Sequence, residues 1–275
     1  MKYYSPNSLN ELMRLINVVD DSIYLSGGTD LMPRFENGKR LPQNLIDLKS
    51  VSELNGIREL NDTVEIGALT TISDLNESPL IQSYYNSIFQ ATQKFAGVQI
   101  RNRATIGGNI CNASPAGDLL PSLYAFNAKV KIANYREYRI IPIEDFITNP
   151  GKISLNSDEV LYSIILPKTQ YSSIFVKLGL RETMAISVIN FAIVFEMING
   201  IYNHISIAAG AVGPKIARLK SLEDALRENP KINVTMDLLL KDISPISDIR
   251  ASARYRKTVL FNLIKSEIDK NRMEN

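Results

Sequence analysis

TIGGNICNASPAGDLLP, residues 105–121, packs an adjacent glycine pair, an asparagine, the chain's one cysteine, an Asn-Ala-Ser-Pro turn and the carboxylate of Asp118 into one run. An apolar segment, LLPSLYAF (119–126), follows at once. A surface turn needs only two or three such small polar residues. The excess implies a backbone that must come close to something flat or charged. A second pair, Gly27-Gly28, stands in YLSGGTDLM (24–32). Ser26 and Thr29 flank the first pair in the chain, and Thr105 and Asn109 the second. Glycine admits positive φ, so successive N–H groups can point to one side and form an anion-binding nest. Two such turns could grip one pyrophosphate from both sides, and Asp118 could accept hydrogen bonds from sugar hydroxyls or an adenine amine. Neither pair matches the Walker or Rossmann glycine patterns. A tight turn after a strand is the commoner reason for a single pair, so the residues alone go no further than candidate phosphate-gripping loops.

With 275 residues, the chain is long enough for one large domain or two medium ones. Its 45% apolar and 22% charged residues describe a globular protein with a core. A formal net charge of +2, with both signs interspersed, leaves no footprint for nucleic acid or a membrane surface. The start, MKYYSPNSLNELMRLI, lacks the charged and then apolar pattern of a secretory leader, and no apolar run reaches bilayer length. A cytoplasmic location is expected. One cysteine (Cys111) and one histidine (His204) exclude an internal disulfide and a self-contained cysteine-ligated zinc or iron–sulfur centre. Redox chemistry here requires an organic cofactor or a partner's metal.

SPNSLNELMRLI reads as a helix capped by Ser8, with Glu11 three residues later and Leu9, Leu12, Met13 and Ile16 on one face. SIYLSGG, PQNLIDLKSV and TVEIGALTTISDL read as strands, the last entering a helix through Thr71 or Ser73. IQSYYNSIFQATQKFA (81–96) has helical spacing, and AKVKIAN with YREYRIIPIEDFI alternates like a hairpin before a strand, EVLYSIILP. After Pro167 the texture changes. SIFVKLGL, SVINFAIVFEMING and YNHISIAAGAVG form an antiparallel meander with a turn at Asn199-Gly200, and helices follow. The domain boundary is placed at 168–173.

In this order, the segments resemble the FAD-binding medium subunit of the molybdenum hydroxylase family, the group of xanthine oxidase and aerobic carbon monoxide dehydrogenase. YYSPNSLNELMRLI resembles the family's opening, LSGGTDLMPRF its first pyrophosphate loop, and RNRATIGGNICNASPAGDLLPSLYAFNAKV its second. KLGLRETMAISVINFAIV resembles the start of its C-terminal domain and IRASARYRKTVL its closing helix. The fold this implies is α+β. A PCMH-type (vanillyl-alcohol-oxidase-like) FAD domain spans 1–168, with lobes at roughly 1–55 and 56–168, and a small C-terminal α+β domain spans 169–275.

The resemblance implies non-covalent FAD, with Tyr24, Leu25, Ser26, Gly27, Gly28, Thr29, Asp30 and Leu31 on one side of the pyrophosphate. Thr105, Ile106, Gly107, Gly108 and Asn109 stand on the other, both sets acting largely through backbone N–H groups. Asp118 matches an aspartate at the nucleotide end, Phe95 and Leu161 positions lining the flavin, and Lys177 a lysine that places positive charge where negative charge develops. No catalytic or metal-ligating residue is expected in this chain. Electrons are expected from a small [2Fe-2S] subunit, fed by a large molybdopterin subunit, in a heterotrimer that is often doubled, (αβγ)2, and are passed to an external acceptor. Separate-subunit organisation favours an aldehyde or carbon monoxide as the partner's substrate. A self-sufficient flavin oxidase, a flavin-less scaffold subunit and an unrelated phosphate-binding module are the competing readings. Cys111 reads as a small packing residue, His204 as a surface hairpin residue, Arg101 and Arg103 as phosphate-facing, partner-facing or solvated, and RYRK (254–257) as a solvated or subunit-facing run.

Overall fold

The computed structural model describes residues 1–38, 40–182 and 184–274, apart from the Glu274 side chain. Thr183 and Asn275, which fall within stretches assigned above, lie outside the described residues. The chain forms two compact units, each discontinuous in sequence. Unit 1 takes Met1–Ser78, Ala96–Ala113 and Asn127–Lys168, and unit 2 takes Pro79–Phe95, Ser114–Phe126 and Thr169–Asn275.

Unit 1 opens with a short parallel sheet. Strands β1 (Lys2–Tyr4), β2 (Ser22–Leu25) and β3 (Asn44–Asp47) are ordered β1-β3-β2. The helix Leu9–Ile16 starts where the sequence places it, with the Glu11 N–H donating to Ser8 Oγ at 3.2 Å. The expected return arm is redirected: the Glu11 carboxylate accepts from the Asn7 N–H at 2.7 Å. Leu12, Met13 and Ile16 then pack on Ile46, Leu48, Val51 and Leu54. Strands β4 (Ile57–Glu59), β5 (Thr63–Gly67), β6 (Lys129–Ala133), β7 (Tyr138–Pro142), β8 (Ile147–Asn149), β9 (Lys152–Ile153) and β10 (Val160–Pro167) follow in the chain. Five of them build an antiparallel sheet ordered β4-β5-β10-β6-β7, and β8 pairs with β9. Thr71 caps the helix Ile72–Glu77 through a complete capping box with Asp74.

Unit 2 is built on an antiparallel sheet, β11 (Ser172–Gly179), β12 (Ser187–Ile198), β13 (Ile201–Gly210) and β14 (Ala217–Arg218), in sequential order. Asn199 and Gly200 both take positive φ, the turn the sequence predicts. Alternate residues of β12, Ile189, Phe191, Ile193 and Phe195, pack with the helices Lys220–Glu228, Met236–Leu240 and Ala253–Glu274. The intervening Val188, Ala192 and Val194 are equally buried. Helices Asn86–Gln93 and Leu120–Ala125, which pack against β11, β12 and β13, account for that. A strand buried on both faces reads as a continuous apolar run, as SVINFAIVFEMI does. The helical spacing over 81–96 resolves into two helices, Pro79–Tyr84 and Asn86–Gln93, broken at Tyr85.

The basic run at 254–257 is not simply a surface feature. Arg256 is 1% exposed and donates to the carbonyls of Val188 at 2.5 Å and Ala211 at 3.1 Å and to Asp248 Oδ1 at 2.7 Å. Its guanidinium fork reaches three acceptors from one position, which the ammonium of lysine cannot copy. Arg256→Ala leaves two buried carbonyls without their donor and is expected to cost about 3 kcal/mol in urea unfolding, with Arg256→Lys recovering only part.

Candidate functional site

The first glycine turn leaves β2 at Leu25. Gly28 has φ +73°, a conformation that favours glycine, and Asp30 leads into the helix Leu31–Glu36. Asp30 makes no side-chain cap; its carboxylate pairs instead with Arg34 Nε at 2.7 Å. The N–H groups of Gly27, Gly28, Thr29 and Asp30 donate to no acceptor among the described residues. Four successive unspent donors, on half-buried Gly27, Gly28 and Thr29 and exposed Asp30, are the groups that an anion-binding nest uses.

The second glycine turn is organised differently. Ala104 accepts from the Ile72 N–H at 2.9 Å, and Thr105 bridges Thr71 as in a strand pair. Thr105 then caps the helix Ile106–Asn112, an element the sequence reading passes over as loop. The N–H of Ile106 goes to Thr70 O (3.0 Å), that of Gly107 to Ala68 O (2.9 Å), that of Gly108 to Thr105 Oγ1 (3.0 Å) and that of Asn109 to Thr105 O (3.0 Å). All four are spent inside the protein. The N–H groups of 106–109 are therefore already bonded, whereas those of 27–30 are not. Gly107 and Gly108 do not have positive φ; their reason is space. A Cβ on Gly107 would lie 2.6 Å from Ala68 O, and one on Gly108 would lie 2.9 Å from Thr105 Oγ1 and 3.0 Å from Ser26 Oγ.

The two turns meet. A Cβ on Gly27 would lie 1.9 Å from the Arg103 carbonyl oxygen, so the backbones of residues 27 and 103–104 touch directly. Arg34, one turn into the first helix, donates to Asn112 Oδ1 at 2.5 Å at the end of the second. What the second turn does offer is side chains. Asn109 Oδ1 is buried and has no partner among the described residues. A buried acceptor left empty costs roughly 1–3 kcal/mol, which a donor on a ligand would offset.

The other predicted site residues are distributed as follows. Tyr24 is half-buried on β2, and burial with the nearby Asp158 charge pushes its hydroxyl up to about 12, so it stays neutral. Leu161 lies buried on β10 of unit 1, beside a register irregularity in its pairing with β6. Phe95, Asp118 and Lys177 belong to unit 2. Phe95 is half-buried beyond the helix Asn86–Gln93. Lys177 Nζ donates to Asp118 Oδ2 at 2.6 Å. These two residues are therefore neighbours, and they cannot serve opposite ends of one extended dinucleotide. Ser187 and Asn190, which the sequence reading does not single out, also donate to this carboxylate. Their only signal in the sequence was polarity inside the apolar run SVINFAIVF.

Cys111 is half-buried on the helix Ile106–Asn112, and burial pushes its thiol up to about 12, far from a reactive thiolate. His204 stacks on Tyr171 with ring centroids 4.3 Å apart, and burial with the Arg218 charge lowers its pKa. Arg101 turns back to donate to Ala96 O at 3.2 Å, and Arg103 is exposed. Among the described residues, no three or more His, Cys, Asp or Glu side chains are grouped to hold a metal ion. Gly27→Ala is expected to destabilise the fold by about 3 kcal/mol, because the obstructing atom is backbone that cannot rotate away. A thermal melt indistinguishable from wild type would contradict the close approach.

Family models and known relatives agree on what this geometry belongs to. The FAD-binding domain of molybdopterin dehydrogenases matches residues 1–169, and the C-terminal domain of the CO dehydrogenase flavoprotein matches 175–269. The xanthine dehydrogenase FAD-binding subunit of Escherichia coli O157:H7 is 30% identical, covering 97% of this chain and 94% of its own length. The nicotinate dehydrogenase FAD-subunit of Eubacterium barkeri is 28% identical, covering 96% and 93%. The solved structure of a carbon monoxide dehydrogenase from Hydrogenophaga pseudoflava, one that lacks the Mo-pyranopterin moiety of the molybdenum cofactor, matches with a TM-score of 0.91 at 28% identity, over 97% of this chain and 95% of that one. The chain belongs to the family of FAD-binding subunits of molybdenum hydroxylases.

Proposed function

We propose that this chain holds FAD non-covalently, takes electrons from a small [2Fe-2S] subunit fed by a large molybdopterin subunit, and passes them to an external acceptor. The observation that carries the reading is the open row of N–H groups at Gly27–Asp30 beside a second turn whose one buried orphan is Asn109 Oδ1. A pyrophosphate supplies acceptors for the first and a dinucleotide supplies hydroxyl donors for the second, so the residues fit the cofactor. A scaffold without a cofactor has no use for either.

When bound, FAD supplies a redox centre able to take and give two electrons. Ser26 to Asp30 orient the pyrophosphate through main-chain donors, with the Thr29 hydroxyl adding to them. Gly27 and Gly107 allow backbone to approach backbone, and Gly108 leaves room for the Thr105 and Ser26 hydroxyls, which fixes the turn before the ligand arrives and lowers the ordering cost of binding. Asn109 and Thr105 contribute side chains rather than N–H groups. Phe95 and Leu161 are proposed to contact the flavin, Tyr24, Leu25, Leu31 and Ile106 to back the turns, and Asp118 and Lys177 to act together at the flavin end of the cofactor. The domain division we propose for this function is 1–168 for FAD and 169–275 for the smaller domain, although 79–95 and 114–126 pack with the latter.

The partners are proposed to assemble as (αβγ)2 in the cytoplasm. Among the described residues no helix is long and apolar enough to cross a membrane. The substrate is chosen on the large subunit. Relatives of similar identity are named for xanthine, nicotinate and carbon monoxide, so an aldehyde or carbon monoxide gains no advantage over a purine or pyridine.

Purification of the tagged chain from its own cell is expected to bring down two further chains, one with iron and acid-labile sulfide and one with molybdopterin. A chain that turns over a substrate alone would contradict the reading. In titrations of the apoprotein, Asn109→Leu is expected to weaken FAD binding tenfold to a hundredfold, roughly the worth of a hydrogen bond near a charged ligand. An unchanged affinity would remove Asn109 from the site.

A further inference from the structure

Lys177 is not a bare cation. Its side chain is 8% exposed, and the ammonium donates to Asp118 Oδ2 at 2.6 Å and to Lys94 O at 3.0 Å. The other carboxylate oxygen, Oδ1, accepts from Ser187 Oγ at 2.7 Å and from Asn190 Nδ2 at 3.2 Å. Asn190 sits at 0% exposure in mid-strand, between Ile189 and Phe191 of the apolar core. Burying an amide is costly unless it is used. Here Nδ2 is shared among Asp118 Oδ1, Gly117 O and Ser187 Oγ, while Oδ1 has no partner among the described residues. The space comes from the neighbouring strand: a Cβ on Gly210 would lie 2.1 Å from Asn190 Oδ1. Packing alone gives no reason to put an amide there, since valine or leucine would fill a core strand without the desolvation cost. The amide and the serine hydroxyl have a shared object, the Asp118 carboxylate.

We propose that Ser187 and Asn190 are positioning residues that hold Asp118 on Lys177, so that the cluster offers the flavin a compensated ammonium whose effective charge the two donors set. This rests on the reading above that Lys177 stands at the flavin. A full positive charge beside the flavin raises its reduction potential, because reduction adds negative charge; a carboxylate 2.6 Å from that ammonium cancels most of the effect. Donors on Oδ1 draw carboxylate charge away from Lys177 and leave the ammonium partly effective. Removing them strengthens the cancellation.

The signs follow. Asp118→Asn keeps the shape and removes the countercharge, so the potential rises. Lys177→Met leaves the carboxylate alone, so it falls. Ser187→Ala removes a donor, so it falls by less, and Ser187→Thr, which keeps the hydroxyl, restores the wild-type value. The measurement is an anaerobic redox titration of the purified FAD-loaded protein followed at the flavin bands. General loosening of the site would move every variant toward free flavin in one direction, so opposite shifts in Asp118→Asn and Ser187→Ala support the proposal. Equal-direction shifts, or an unmoved Ser187→Ala alongside shifted Asp118→Asn and Lys177→Met, overturn it while leaving the cofactor reading intact. If neither Lys177→Met nor Asp118→Asn moves the potential, Lys177 is not at the flavin and both fall. Should Ser187→Ala fail to retain flavin, Ser187→Cys, similar in volume and a weaker donor, is judged by the same sign.

Discussion

Backbone meets backbone where no side chain could stand. Gly27 lies against the Arg103 carbonyl, Gly107 against Ala68, and Gly67 against Leu54, each closer than a Cβ permits. These contacts gather segments that are far apart in sequence into one patch of unit 1. They also decide how polar groups are spent. Because Ile106 and Gly107 donate to Thr70 and Ala68, and Gly108 and Asn109 donate to Thr105, these four N–H groups of the second turn are already spent. The first turn, tied down by its neighbours rather than by its own donors, keeps four. Two similar-looking glycine pairs thus differ in what they leave unspent: main-chain N–H groups at the first and the Asn109 side-chain oxygen at the second.

Local signals were readable. Ser8 and Thr71 cap the helices the sequence gives them, Asn199-Gly200 makes its hairpin turn, and strands β5, β6, β7 and β10 to β13 follow their apolar runs. The glycine pairs were legible as a place where backbone approaches something, and the full-length pattern was legible as a family. Pairing across the chain was not. A glycine pair looks the same whether it needs positive φ, as Gly28 does, or merely room, as Gly107 does, because the reason lies in a residue 39 positions away. The helix Ile106–Asn112 was hidden by its own glycines, whose low helix propensity is overridden by the Thr105 cap and by tertiary bonds.

Charge was the least legible property. A lysine in KLGL and an aspartate in PAGDLL read as independent residues with separate duties. In the fold they form one neutral pair, with two further donors from β12. RYRK likewise read as surface, yet one of its arginines is buried where it ties Val188, Ala211 and Asp248 together. In both cases the missing information is which carbonyls and carboxylates the fold brings within reach.

The central claim is that the open turn holds a flavin dinucleotide by non-covalent contacts. The visible absorption spectrum of the purified chain, taken before and after denaturation and filtration, tests it most directly. The account predicts flavin bands in the native protein that pass quantitatively into the filtrate on denaturing, with FAD as the released species. A colourless chain that also refuses added FAD, or a flavin that stays with the denatured polypeptide, would contradict it.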